Sequence, residues 1–77
     1  MMGLTGLVHN NLRQHRLAAD GMTKTDLANK VGVTRQTVHS IETGKYNPSI
    51  ELALRLAWAL GLTVEDLFQL NDQEKSI

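Results

Sequence analysis

Apolar residues recur along this chain at spacings of three and four, and no stretch of four or more residues alternates as a half-buried strand requires. Helix caps punctuate almost every boundary. Residues from about Asn10 to Ala19 read as a first helix, with Leu12, Arg16 and Ala19 on one face and Asp20-Gly21 ending it. Thr23 is an N-cap with Asp26 in the capping-box position, which predicts a second helix running to Val31 and stopped by Gly32, its core positions being Leu27, Ala28 and Val31. After only Gly32 and Val33, Thr34 caps a third helix, Arg35 to Thr43, with Val38 and Ile41 on the buried side and Gly44 as the left-handed stop. Ser49, behind Pro48, caps a fourth from Ile50 to Leu60, closed by Gly61, and Thr63 with Asp66 opens a short fifth helix whose apolar side is Val64, Leu67 and Phe68.

The fourth helix is apolar nearly all round. Ile50, Ala53, Leu56, Ala57 and Leu60 already make a core stripe, so Leu52, Leu54 and Trp58 are left over. The i, i+4 pair Leu54 and Trp58 needs a cover, and a homodimer contact supplies one; the alternative places Trp58 beneath the C-terminal tail of a monomer. The expected fold is all-α, a five-helix domain over residues 8–70. Residues 1–7 form an extension that is either a strand pairing with the segment around Leu70 or disordered, and residues 71–77 form a polar, frayed tail.

Seventy-seven residues bury little surface, so a lone core is marginal and dimerisation would help. The absence of cysteine excludes disulfides and thiolate metal sites and favours a cytoplasmic setting. The longest run without a polar side chain, Leu56 to Leu62, falls far short of the roughly 20 residues of a membrane span. Net charge is zero, but it is polarised. From Val8 to Ile50 the chain carries Arg13, Arg16, Lys24, Lys30, Arg35 and Lys45 against Asp20, Asp26 and Glu42; from Glu51 on, Arg55 and Lys75 stand against Glu51, Glu65, Asp66, Asp72 and Glu74. A basic half of this kind suits a phosphate-bearing partner.

Residues Thr23 to Glu42, TKTDLANKVGVTRQTVHSIE, have the spacing of a helix-turn-helix: small Ala28 where the backbones approach, Gly32 in the turn, and Val31, Val33, Val38 and Ile41 in the angle. From about Asn10 to Leu70 the chain also resembles the phage-repressor and Cro-like helix-turn-helix regulators, and among them the short stand-alone bacterial regulators related to the cytolysin repressor. NNLR, RQTVHSIETGKYNPSIELALRLAWALG and VEDLFQL carry the likeness. With Val38 and Ile41 buried, the outward residues of the third helix are Arg35, Gln36, His39 and Ser40, the candidates for contact with base edges in a major groove; an ordinary solvated face is the alternative. Thr23, Lys24, Thr34 and Thr37 lie at first turns of helices, where open amides favour phosphate. The resemblance implies that the loop bearing Lys45, Tyr46 and Asn47 follows the sugar-phosphate backbone. It also implies a structural ion pair between Arg16 and Glu42, with Arg13 as the substitute partner.

Two departures from that family stand out. Lys24 replaces the usual glutamine that braces the recognition helix, and the stretch from Leu17 to Gly21 is one residue longer, with Asp20 as the extra. His15 also stands where an aliphatic residue is usual and reads as a semi-buried packing residue. The expected function is sequence-specific binding of double-stranded DNA by a dimeric regulator, a repressor reading a palindromic operator. A protein-interaction or antitoxin-like module on the same fold is the alternative. No cofactor, metal, small-molecule effector or membrane partner is expected, and an enzyme is disfavoured: no glycine-rich phosphate loop or nucleophile-base pair is present, and His9, His15 and His39 are scattered.

Overall fold

Residues 8–70 are described by a computed structural model in which five helices lie between the strands of a two-stranded antiparallel ribbon. The order is β1 (Val8–Asn10), α1 (Leu12–Ala18), α2 (Lys24–Val31), α3 (Arg35–Glu42), α4 (Ile50–Leu60), α5 (Val64–Leu67) and β2 (Phe68–Leu70). The ribbon pairs Val8 with Leu70, His9 with Gln69 and Asn10 with Phe68. It joins the two ends of the described chain.

The capping residues act as their chemistry dictates. Thr23 and Thr63 each accept from the amide three residues on, and Asp26 and Asp66 return the bond to the cap amide, so both capping boxes are closed. Thr34 and Ser49 accept from Thr37 and Leu52 in the same way. Gly32 has φ of +79°, a left-handed conformation that lets its own amide and that of Val33 both reach the Ala28 carbonyl, at 2.9 and 3.0 Å. That single reversal turns the chain from α2 into α3, and the two helices pack against each other.

Leu12, Leu27, Val38, Ile41, Leu56 and Leu67 fill the centre, and each such side chain contributes about 1.5–3 kcal/mol when fully buried. Ala28 and Val31 complete the wall supplied by α2. Val38 and Ile41 hold α3 from behind.

The ends of the domain correct the sequence reading. Asn10 belongs to β1 rather than to the first helix, because its side chain is committed twice: Nδ2 donates to the Ile41 carbonyl at 2.9 Å, and Oδ1 accepts from the Leu12 amide at 3.2 Å. Helix α1 therefore starts at Leu12 and ends at Ala18, with Ala19 half-buried just past its end. Asp20 and Gly21 follow in left-handed geometry, at φ of +58° and +67°. Phe68, assigned above to the fifth helix, opens β2. The expectations for residues 1–7 and for the tail from Asn71 lie outside the described residues.

A further correction concerns α4. Leu52 was left over in the sequence reading and Ile50 was placed in the core, but Leu52 is 8% exposed and Ile50 81%. The core takes Leu52, Ala53, Leu56 and Ala57, the side that meets α2 and α5. Ile50 instead heads an i, i+4, i+8 row with Leu54 and Trp58 on the opposite side.

Candidate nucleic-acid interface

Helix α3 turns its outer side to solvent because its inner side is fully spent on Val38 and Ile41. Arg35 and Gln36, in its first turn, are exposed; His39 and Ser40, one turn on, are half-buried. The four candidate base readers thus share one helix, although the later two are partly covered.

Around them stand the candidate phosphate contacts. Thr34 Oγ1 accepts from the Thr37 amide at 3.2 Å and lies 3.1 Å from Thr37 Oγ1, which leaves the amides of Arg35 and Gln36 without an acceptor among the described residues. At the start of α2, Thr23 takes the Asp26 amide in the same way, and the amides of Lys24 and Thr25 stay open. Such helix starts concentrate partial positive charge. After α3, Gly44 turns left-handed at φ of +79°, and the amides of Lys45 and Tyr46 fold back onto the Ser40 carbonyl at 2.9 and 3.2 Å. The side chains of Lys45, Tyr46 and Asn47 remain exposed beside the end of α3.

The charge of this surface follows from one pairing. Between residues 27 and 47 the chain contains a single carboxylate, Glu42. Arg16 covers it: Nε donates to Glu42 Oε2 at 2.7 Å and Nη2 to Oε1 at 3.2 Å, with side-chain exposures of 7% and 2%. The acid is neutralised inside the fold. Arg35 and Lys45 are left unopposed on the outside of this stretch.

Lys24 occupies a place that sequence reasoning did not resolve. Its Nζ lies 3.1 Å from Nδ1 of His39, bridging the start of α2 and the middle of α3. The two residues are fifteen positions apart, and only the crossing angle of the helices brings them together. Asn10 was also missed. Its bond to the Ile41 carbonyl anchors the end of α3 to the ribbon, and no local pattern announces a contact spanning thirty-one positions.

On the outer face of α4, Ile50, Leu54 and Trp58 are 81%, 56% and 83% exposed. With Ala57, Leu62 and Val64 they line an open, mainly apolar groove of about 900 Å³. Among the described residues no group of His, Asp or Glu is arranged to hold a metal ion, and no helix is long and apolar enough to cross a membrane.

A family model described as helix-turn-helix matches residues 12–67, a span that runs from the first residue of α1 to the last of α5. An HTH-type transcriptional regulator of Methanocaldococcus jannaschii is 46% identical over 65 residues, covering 84% of this chain and 97% of that protein. One of Bacillus subtilis is 42% identical over 64 residues, covering 83% and 96%. Among solved structures, the clp gene regulator ClgR of Corynebacterium glutamicum superimposes with a TM-score of 0.65 at 34% identity, over 71% of this chain and 57% of that one. A hypothetical transcription factor of Neisseria gives 0.69 at 29% identity, over 86% and 74%.

Proposed function

The chain belongs to the helix-turn-helix family, whose relatives are transcriptional regulators rather than enzymes, and from that premise we propose that it binds double-stranded DNA and represses transcription as a homodimer. Helix α3 enters the major groove, with Arg35 and Gln36 foremost in reading base edges and His39 and Ser40 behind them. Thr23, Lys24, Thr34, Thr37, Lys45, Tyr46 and Asn47 hold the phosphates on either side. One observation carries this reading: the exposed side of α3 is flanked by open helix-start amides and by cations, and Glu42, the one acid between residues 27 and 47, is paired inside the fold.

The homodimer rests on the apolar row of α4. A domain this small leaves three large apolar side chains in water on a single helix face, and a second copy would remove them. A two-fold axis through such a contact gives two recognition helices, which fit an inverted repeat with half-sites about 10 base pairs apart. Repression is proposed for the case in which the operator overlaps a promoter, where a seated dimer blocks the duplex it covers.

Selection of binding sites from random duplex tests the reading. The expected result is an inverted repeat bound in preference to unrelated sequence at moderate salt; enrichment of no sequence would refute it. Solution mass decides the dimer. A monomer whose Trp58 face captures a different protein would favour the interaction-module alternative instead.

A further inference from the structure

His39 sits in the middle of the reading face, and a half-buried histidine there could present either a donor or an acceptor to a base. The neighbouring lysine removes that ambiguity. Lys24 Nζ stands 3.1 Å from His39 Nδ1. A lysine ammonium has three donors and no acceptor, so Nδ1 accepts and the ring proton resides on Nε2. Nε2 takes no partner among the described residues, and no buried side-chain nitrogen in the described structure is left unpaired, so this atom lies at the surface.

We propose that Lys24 is a positioning residue that fixes His39 as an outward hydrogen-bond donor, and that His39 thereby selects guanine at one position of each half-site. The inference rests on the DNA-binding reading above. Guanine's own major-groove edge offers two acceptors, N7 and O6, and no donor; cytosine offers an amino donor alone, adenine pairs one acceptor with such a donor, and thymine has a single acceptor beside its bulky methyl. An Nε2–H donor is matched by the first and opposed by the second. The same bond crosses from α2 to α3, so it also fixes the depth at which the ring meets the groove. Lys24 fixes the tautomer of His39 in the opposite sense to a backbone carbonyl or carboxylate, which would accept from Nδ1–H and leave Nε2 as an acceptor.

Two measurements on the full chain test this. Nitrogen chemical shifts of the His39 ring in the free protein should show the Nε2–H tautomer, and Lys24→Met should shift them toward a mixture of tautomers while helix content stays the same. In duplex binding, the position read by His39 is the one whose preference disappears in His39→Ala. Replacing guanine by cytosine there should weaken the wild type about five- to tenfold, the loss of one hydrogen bond with an unmatched donor left behind. In Lys24→Met the same replacement should cost no more than about twofold, even though affinity for every duplex falls. An Nδ1–H ring in the wild type, a preference for cytosine at that position, or undiminished discrimination in Lys24→Met would overturn the proposal. A wild type with no sequence preference would overturn it together with the DNA-binding reading, and the ring shifts would then still show whether the Lys24 contact exists.

Discussion

Arg16 and Glu42 meet through two hydrogen bonds between α1 and the last residue of α3, with both side chains almost wholly shielded from water. Arg16 also donates from Nη1 to the Met22 carbonyl at 2.6 Å, so it ties the loop after α1 to the same point. A charge buried in this way is expensive to orphan, whereas an apolar pair of similar volume can replace the whole bridge at little cost. Its value to the domain is geometric: it sets the end of the recognition helix and takes the acid off the reading surface.

Arg16→Ala should accordingly destabilise the protein by about 3–5 kcal/mol, measured by urea denaturation, because Glu42 is left buried without a partner. Against a total stability of about 5–15 kcal/mol typical of small domains, that loss approaches unfolding at ordinary temperature. The double variant Arg16→Met, Glu42→Leu should recover most of it.

Lys45 and Gln36 should fail in different ways. Lys45 is exposed on the loop after α3, which is proposed to lie along the phosphates, so Lys45→Ala should weaken all duplexes alike and reduce the slope of log affinity against log salt by about one. Gln36 is exposed in the first turn of α3, and Gln36→Ala should relax preference at one position of the half-site by about 1–3 kcal/mol with little change in that slope. Salt titrations against matched and altered duplexes separate the two.

Leu54 is 56% exposed between Ile50 and Trp58 on the apolar side of α4. Placing a cation there interrupts an apolar contact without entering the core, so Leu54→Lys should halve the solution mass and leave helix content and urea midpoint close to those of an isolated folded monomer. Affinity for a palindromic site should fall by more than tenfold, because each half-site is then bound alone.

Asp66 accepts from the Thr63 amide at 2.9 Å, and its own amide donates to Thr63 Oγ1 at 3.1 Å. The bond from the Thr63 backbone is the main cause that holds the Asp66 carboxyl below its ordinary value of 3.8, with the Thr63 side chain adding to it. A carboxyl depressed on folding contributes stability that is fully present above its unfolded value and is lost as pH falls through the folded one. The stability advantage of the wild type over Asp66→Asn should therefore shrink only below about pH 3.8, and the carboxyl carbon of Asp66 should titrate with a midpoint under that value by NMR.

Local chemistry wrote most of this fold into the chain. Thr23, Thr34, Ser49 and Thr63 announce helix starts because a hydroxyl can satisfy an orphan amide at only one place, and Gly32, Gly44 and Gly61 announce turns because left-handed backbone suits few other residues. Helix α4 was harder. Its apolar residues surround it, so periodicity allowed either Ile50 or Leu52 to face inward, and the choice was made by the positions of α2 and α5. Asn10 was misassigned for a similar reason: its pairing with Phe68 and its side-chain bond to the Ile41 carbonyl both involve residues far along the chain. The placing of the candidate interface residues on α3, at the helix starts and on the following loop was legible from spacing, but the contact between Lys24 and His39 was not, since it exists only once two helices cross.

DNA binding as proposed requires α3 to meet a duplex with its exposed side, and amide chemical-shift mapping during titration with the selected palindrome tests that most directly. The expected perturbations lie on residues 34–47 and at the start of α2, around Thr23 and Lys24, with Val8–Asn10 and the Leu54–Trp58 face of α4 unchanged. Perturbations centred on α4, or none on Arg35 and Gln36 at saturating duplex, would contradict it.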